Sequence, residues 1–225
     1  MIEIKNIIKD FEVGNVRNTV LHDINLTIEP GKLTMLVGPS GCGKTTLISI
    51  ITGILTPTSG DVIINKVNLT KLKDNEKVAF RRDKIGFIFQ QYNLLPTLTA
   101  AENVAIPLIA QGWKVDDAVR KAENILETID MNSHVDKLPK QLSGGQQQRV
   151  VIAIALIHNP ELIVCDEPTA ALDATTGAKV MEILKNKALE ENRIVIVVTH
   201  DNRIFDFADR IIKMDDGRIS LKNDH

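Results

Sequence analysis

The sequence has few cysteine and aromatic residues and no long apolar run. Its 225 residues include two cysteines, one tryptophan and one tyrosine. Cys42 and Cys165 do not form the CxxC spacing of a metal site, and two cysteines build no disulfide framework. The longest apolar stretches, such as residues 194–198, fall far short of the roughly 18 residues of a membrane-spanning helix. We therefore expect a reduced, cytosolic chain that needs another protein to reach across a membrane.

Neither sign of charge dominates. Lysine and arginine number 27 against 29 aspartate and glutamate, so the formal net charge is −2, and no block of five or six like charges occurs. Residues 1–11 lack the basic region, apolar segment and cleavage site of a signal peptide. Binding to nucleic acid or lipid headgroups by charge alone is not indicated, and no secretion signal is expected.

Strand-like and helix-like patterns alternate along the chain. Runs rich in β-branched residues at 2–7 and 21–28, separated by a turn at 14–18, predict antiparallel strands. Periodic apolar residues predict a helical region over 99–134, most clearly at 115–129. The remaining predictions are strands at 33–37, 61–65, 85–89, 162–165 and 194–199, helices at 45–54, 143–157 and 177–189, and a closing helix and hairpin reaching residue 221. This alternation is typical of an α/β fold whose parallel sheet is covered on both faces.

Residues 38–45, GPSGCGKT, match the pattern GxxxxGK[ST] between an apolar strand and a helix. The glycines let the backbone curl so that its N–H groups point inward, and the helix N-terminus adds positive potential. Lys44 supplies a charge for the outer phosphates, and Thr45 supplies a hydroxyl for Mg²⁺. By itself this P-loop leaves kinases, GTPases and helicases open. The predicted phosphate cradle consists of Gly38, Pro39, Ser40, Gly41, Cys42, Gly43, Lys44, Thr45 and Thr46.

The apolar strand at 162–165 ends in two acids, Asp166 and Glu167. The carboxyl ends of strands are where open α/β sheets bind ligands, although an apolar strand followed by an acid is common. Together with a P-loop the pair is informative, because MgATP needs a carboxylate near the metal and hydrolysis needs a group that orients or deprotonates water. We predict that Asp166 lies near the metal and that Glu167 orients or deprotonates the water.

The stretch LSGGQ at 142–146 opens a helix. Ser143 is a favourable N-cap, and Gly144 and Gly145, followed by Gln146, leave backbone amides open to an anion. Alone, the stretch is better explained as a flexible turn that caps a helix. Because the P-loop already supplies one full phosphate cradle, the second anion site most simply completes the nucleotide of another copy, which predicts a head-to-tail dimer.

Two single residues follow predicted strands at the same edge of the sheet. His200 comes directly after the strand at 194–199, where an imidazole could contact the γ-phosphate. Gln90 follows the strand at 85–89, where it could contact the metal or the attacking water. A lone histidine or glutamine in such a position is usually structural, so neither assignment stands on the residue alone.

Taken in order, GPSGCGKTT, FIFQQ, LSGGQ, IVCDEP, ALD and His200 resemble the complete motif set of ABC ATPases over essentially the whole chain. The resemblance implies catalytic roles for Glu167, His200 and Gln90, with Mg²⁺ held by Thr45, Gln90 and Asp166. It also implies two subunits that sandwich two ATP molecules. Phe11 stands where the family has an adenine-stacking aromatic, usually tyrosine, and Asp173 where it has the acid that links the two sites.

The resemblance also implies the architecture. It predicts a P-loop NTPase core with a parallel sheet, an N-terminal antiparallel β subdomain and an inserted α-helical subdomain. The whole of 1–225 is expected to form one domain, with the core in 1–90 and 158–225 and the helical part, including LSGGQ, in 91–157. One departure is Ile154, where the family generally has arginine; we expect the helix to persist and a polar contact to be lost.

Within the family, QQYNLLPTLTAAENV and FRRD resemble the group that contains MacB, LolD, FtsE and DevA, known for export and for transmitting motion across membranes. The resemblance implies an integral membrane permease partner, contacted by residues 91–104, and a location on the cytoplasmic face of the membrane. Those residues read alternatively as a solvated loop and helix start. A switch or scaffold of FtsE type is the competing function. Soluble relatives that act on DNA or ribosomes would need tandem cassettes, inserts or basic patches, which this sequence lacks.

Overall fold

The computed structural model describes residues 1–14, 16–190 and 193–220, and the strands of these residues form two sheets. In chain order the elements are β1 (Ile2–Val13), β2 (Val16–Ile28), β3 (Lys32–Val37), α1 (Lys44–Ile51), β4 (Ser59–Ile64), β5 (Val67–Asn68), α2 (Asp74–Lys84), β6 (Ile85–Ile88), α3 (Ala100–Ala110), α4 (Val115–Glu127), α5 (Gly144–Leu156), β7 (Leu162–Asp166), α6 (Ala174–Leu189), β8 (Ile194–Thr199), β9 (Arg210–Asp215) and β10 (Arg218–Ser220).

The central sheet has the strand order β10-β9-β3-β8-β7-β6. Strand β3 pairs in parallel with β8 and β9, β8 pairs with β7, and β7 pairs with β6, while β9 and β10 form an antiparallel hairpin. In this register Val37 lies opposite Thr199, and Asp166 lies opposite Val198. The carboxyl ends of β3, β7 and β8 therefore meet at one edge of the sheet.

Both faces of the central sheet are buried, as the apolar strands predicted. On β8, Ile194 and Ile196 belong to a core shared with α1 and the antiparallel sheet, whereas Val195 and Val197 pack in a second core with α5 and α6. Alternate residues of a strand point to opposite faces. A strand that is apolar at every position is thus what a sheet between two layers requires.

The second sheet is antiparallel and has the order β2-β1-β4-β5. Its β1–β2 ladder runs from Ile2 opposite Ile28 to Val13 opposite Val16, with several irregularities in register. The predicted turn at 14–18 was too long, since 16–18 belong to β2, and residue 15 lies outside the described residues. The apolar pattern fades after residue 8, but backbone pairing continues, and polar side chains stabilise it: Arg17 and Thr19 both donate to the Asp10 carboxylate.

A third core lies among α3, α4 and one face of α5. Thr99 caps α3 through Glu102, and the Asn103 side chain accepts from Leu95 N and donates to three carbonyl oxygens of the preceding loop. The predicted helical region between strands is present. Helix α5 is continuous through Ile154, as expected, and that side chain packs against the third core.

The sequence patterns missed α2 and misplaced several ends. Helix α2 has no fully buried residue, so it lacks an apolar stripe; acids in its first turn and bases in its last turn favour the helix through its dipole. Helix α1 ends at Ile51 rather than 54, and α6 begins at Ala174 rather than 177, behind the Asp173 cap. The closing helix is a 3-10 helix at Asn202–Phe207, and the hairpin runs to Ser220; residue 221 lies outside the described residues.

His158, between α5 and β7, is the residue from which we expect a pH dependence of stability. Its Nε2 lies 3.1 Å from the Ile85 carbonyl oxygen, and its buried Nδ1 has no hydrogen-bond partner among the described residues. Burial lowers the pKa of His158 below its usual 6.5, while the bond to Ile85 and the charge of Asp83 oppose that shift. The unfolded chain therefore takes up this proton first as the pH falls.

We predict that His158→Gln reduces the pH dependence of stability between about pH 7 and pH 5. The contribution of neutral His158 is fully present above the unfolded pKa and is lost as the pH falls below it. Glutamine can still donate to Ile85 but does not titrate. Urea unfolding of both proteins across this range measures the slope; an unchanged slope in the variant would contradict the prediction.

Candidate nucleotide-binding site

The loop between β3 and α1 curls over the edge of the central sheet. Gly41 and Gly43 have φ of 81° and 99°, in the left-handed region that favours glycine. Gly38 is required by close approach, because a Cβ there would lie 2.0 Å from the Met214 carbonyl oxygen on β9. The backbone of this loop therefore curls at its glycines, between β9 and the start of α1.

Lys44, the first residue of α1, turns its amine back toward the loop. Its Nζ donates to the carbonyl oxygens of Gly38 and Pro39, each at 2.8 Å, and lies 3.7 Å from the buried Cys42 sulfur. The two carbonyl oxygens thus hold the Lys44 amine at the loop. An anion bound there could replace them as hydrogen-bond acceptors for the amine.

Asp166 at the end of β7 faces Thr45 at the start of α1. Thr45 Oγ1 donates to Asp166 Oδ2 at 3.3 Å. Burial raises the pKa of Asp166, and the neighbouring Glu167 carboxylate raises it further, whereas the bond from Thr45 and the charge of Lys44 lower it. A cation beside this half-buried carboxylate would favour its charged form. Among the described residues, no group of three or more His, Cys, Asp or Glu side chains could hold a metal ion.

Glu167 adopts an unusual backbone conformation, with φ of 52°. Its N–H donates to the Val198 carbonyl oxygen at 2.9 Å, which extends the β7–β8 pairing by one residue. The carboxylate is held at both oxygens: Oε2 accepts from Thr199 Oγ1 at 3.1 Å, and Oε1 lies 2.6 Å from His200 Nδ1. The Glu167 side chain is 11% exposed and the His200 side chain 70% exposed. A nearly buried carboxylate therefore meets an imidazole that is open to solvent.

These groups surround one cavity of about 280 Å³. Four chain segments that the sequence singled out separately meet there: the loop after β3, the residues after β6, the end of β7 and the end of β8. The structure thus brings together most of the predicted nucleotide site. The cavity is lined by Ser40, Gly41, Gly43, Lys44, Thr45, Thr46, Gln90, Asp166, Glu167 and His200, joined by Val20 and Val198.

The LSGGQ stretch lies at a different cavity, of about 360 Å³, at the N-termini of α5 and α6. Ser143 caps α5: its Oγ accepts from Gln146 N at 3.3 Å, and Gln146 Oε1 accepts from Ser143 N at 2.8 Å. The Asp173 side chain caps α6 by accepting from Thr176 N. The lining consists of Asp130, Ser143, Gly144, Gly145, Gln146, Arg149, Ala171, Leu172, Asp173 and Thr176.

Phe11 does not line the cavity of the P-loop. Phe11 lies on β1 opposite Asn18 and is 37% exposed. The Lys9 amine lies 5.0 Å from the centre of the Phe11 ring. Its ring offers an accessible apolar surface on the antiparallel sheet, whose neighbouring strand β2 contributes Val20 to the cavity. The structure by itself assigns this ring no ligand.

The sequence did not single out Thr199, Arg149 or Asp130, which lie in or beside these cavities. Thr199 is hydrogen-bonded to Glu167, while Arg149 and Asp130 line the second cavity. Thr199 could have been suspected because it is a polar residue at the end of an otherwise apolar strand. Arg149 lies just beyond LSGGQ on the same helix. For Asp130, in the turn after α4, we find no sequence signal, because only the packing of α4 against α5 places it there.

Comparisons with known proteins identify the family of this chain. The family model for ABC transporters matches residues 21–170. MJ0796, an ABC transporter ATP-binding protein of Methanocaldococcus jannaschii, is 44% identical over 97% of this chain and 95% of its own length. The macrolide export ATP-binding/permease protein MacB of Campylobacter jejuni is also 44% identical over 97% of this chain, which spans 33% of that protein.

Solved structures support the same relationship. The ATP-binding cassette MJ0796, solved as a dimer in a post-hydrolysis state bound to ADP and Pi, superposes with a TM-score of 0.90 at 42% identity, covering 98% of this chain and 97% of that one. The fold prediction of a parallel core, an antiparallel β part and a helical insertion is thereby confirmed. This chain belongs to the ABC transporter family and is an ATP-binding cassette of that family. No helix among its described residues is long and apolar enough to cross a membrane.

Proposed function

We propose that this cassette binds and hydrolyses MgATP as a head-to-tail dimer and thereby drives a separate integral membrane permease, in export or in transmission of motion across the membrane. The observation that carries the proposal is the cavity in which the P-loop, Gln90, the Asp166–Glu167 pair and His200 converge. Each group comes from a different segment, and each has a chemical use in phosphoryl transfer to water.

The residues around the cavity fit a triphosphate and Mg²⁺. Backbone amides of residues 38–46 and the N-terminus of α1 suit the phosphates, and the Lys44 amine can exchange its carbonyl partners for phosphate oxygens. The hydroxyl of Thr45, the carboxylate of Asp166 and the amide oxygen of Gln90 are ligands of the kind that Mg²⁺ prefers. Bound Mg²⁺ supplies charge neutralisation for the β- and γ-phosphates.

Glu167 is the group best suited to the attacking water. Its carboxylate sits at the rim of the cavity and can accept a proton from water or orient it. His200 contacts Glu167 at 2.6 Å and is mostly exposed, so it can turn toward a γ-phosphate once one is bound. Gln90 lines the same cavity and completes the set around the metal and the water. Phe11 is the proposed stacking surface for adenine, with its π-face retained and the usual hydroxyl absent.

The second cavity supports the dimer. Ser143, Gly144, Gly145 and Gln146 present the N-terminus of α5, a site suited to an anion, and Asp173 lies beside them. None of these residues lines the P-loop cavity of the same chain. In the proposed dimer each ATP lies between the P-loop of one subunit and residues 143–146 of the other, with Asp173 linking the two sites. The relative MJ0796 is dimeric in two solved structures.

The family and the surface of the helical part support a membrane partner. Residues 91–104 include Leu95, whose side chain is exposed beside the capped start of α3. MacB carries ATP-binding and permease parts by name. We propose that residues 91–157 form the helical subdomain that meets the permease, that residues 1–90 and 158–225 form the core, and that the cassette works at the cytoplasmic face of the membrane.

The first test is Glu167→Gln. We expect ATP turnover to fall by a factor of about 100 or more, because the amide cannot accept a proton, while MgATP binding is retained. Steady-state phosphate release and equilibrium nucleotide binding measure the two effects. Glu161→Gln is the matched control, because Glu161 precedes the same strand and pairs with Lys84 outside the cavity. Full turnover in the Glu167 variant would overturn the proposed role.

Mixed variants test the dimer. In a Glu167→Gln background, Lys44→Ala removes the P-loop charge and Gly145→Asp blocks the LSGGQ site. The Lys44→Ala protein alone should retain no nucleotide, and the Gly145→Asp protein alone should retain only what its P-loop binds without a partner. Mixing should give heterodimers, roughly half of all dimers, with one intact composite site. Filter retention of labelled ATP measures this recovery. Retention no greater than the sum of the separate proteins would contradict the head-to-tail arrangement.

The permease contact is tested with Leu95→Glu, which places a charge on the proposed surface. We expect the tagged chain to lose its co-purifying membrane protein while the isolated chain keeps its ATPase activity. Leu189→Glu is the control, since Leu189 is also an exposed leucine and lies on α6. Equal recovery with both variants would exclude residues 91–104 as the contact. A recovered partner without a substrate path would favour the FtsE-like switch over transport.

A further inference from the structure

The last residue of β8, Thr199, has a fully buried side chain that contacts the Glu167 carboxylate. We infer that Thr199 is a positioning residue that holds one oxygen of Glu167 in place so that the other oxygen faces the attacking water. The inference rests on the proposed catalytic role of Glu167. Thr199 does not line the cavity, so the inference assigns a role to a residue behind the cavity wall.

The direction of this hydrogen bond is determined by the neighbours of the hydroxyl. Thr199 Oγ1 lies 3.1 Å from Glu167 Oε2 and 3.0 Å from the Asp201 backbone nitrogen. A backbone N–H can only donate, so it occupies a lone pair of the hydroxyl. The single hydroxyl hydrogen is then directed at the carboxylate, which accepts it.

The Asp201 N–H is itself held in place. The Asp201 side chain accepts from Arg203 N, Nε and Nη2 at 3.1, 2.8 and 2.7 Å, and from Thr169 Oγ1 at 3.3 Å. These contacts fix the turn that follows His200. The backbone of Thr199 is held as well, because it pairs with Val37 at the end of β3. The hydroxyl is thus constrained on both sides before any substrate binds.

The two oxygens of Glu167 have partners of different mobility. Thr199 is 0% exposed, so no water can compete for its hydroxyl. His200, the partner of Oε1, is open to solvent. When His200 turns toward a phosphate, Oε1 loses its partner and can receive a proton from water, while Oε2 stays bonded to Thr199. The carboxylate then keeps one orientation rather than rotating freely.

The test compares Thr199→Val, which keeps the shape but removes the hydroxyl, with Thr199→Ser, which keeps the hydroxyl. We expect Thr199→Val to lower kcat by about ten- to a hundredfold, as for loss of a hydrogen bond to a charged group, with KM for ATP changed less than about twofold. Thr199→Ser should restore kcat to within about threefold of wild type. Thr34→Val, a buried threonine on the neighbouring strand β3, is the control and should keep wild-type kcat.

A double variant separates this inference from the proposed function. If Thr199 acts through Glu167, adding Thr199→Val to Glu167→Gln should lower the residual turnover no further. A further drop in the residual turnover of the double variant would overturn the inference alone. So would a Thr199→Val protein that keeps wild-type kcat while the Glu167→Gln protein is inactive. An active Glu167→Gln protein would overturn the proposed catalytic role of Glu167, and a wild-type protein without ATP turnover would overturn the proposed function. Thr199→Ala provides the same comparison if the valine variant does not fold, which its thermal unfolding would reveal.

Discussion

The site depends on the register of the central sheet. Val37 lies opposite Thr199, and Asp166 lies opposite Val198, so the ends of β3, β7 and β8 finish level with one another. A shift of one residue would turn every side chain of a strand to the other face and would separate the groups after it. The register is secured because both faces of these strands are buried in different cores. Packing throughout the sheet therefore positions the chemistry at its edge.

At that edge, neighbouring groups have different environments. Burial raises the pKa of Asp166, while Lys44 and Thr45 oppose the shift. Glu167, one residue further on, leaves the strand with a left-handed backbone and reaches a threonine and a histidine instead. The two adjacent carboxylates point in different directions. Asp166 meets the Thr45 hydroxyl on α1, and Glu167 meets the residues at the end of β8. A division of labour between metal and water is consistent with this arrangement.

The motifs were predictable to the degree that they are local. The P-loop, the acid pair and LSGGQ each combine a backbone requirement with a chemical group within a few residues. The structure has the left-handed glycines of the P-loop and the Ser143 helix cap. The strands were recognised where both faces are buried, since every residue is then apolar. Helix α2 was missed because its side chains stay near the surface, and the extent of β1 and β2 was underestimated because polar side chains support that part of the ladder. Assignment to a family came from the order of the motifs rather than from any one of them.

The amino-acid sequence by itself determined which chemical groups are present and which strand or helix end carries each, because glycine turns, apolar strands and N-caps are properties of short segments. It also contained the LSGGQ stretch, from which a second anion site and a dimer were predicted. Only the tertiary structure decided which groups meet: four distant segments share one cavity, LSGGQ lies at another, and Phe11 lies outside the P-loop cavity. The buried contact between Thr199 and Glu167 was likewise invisible in the sequence, because it joins residues that only the pairing of β7 with β8 brings together.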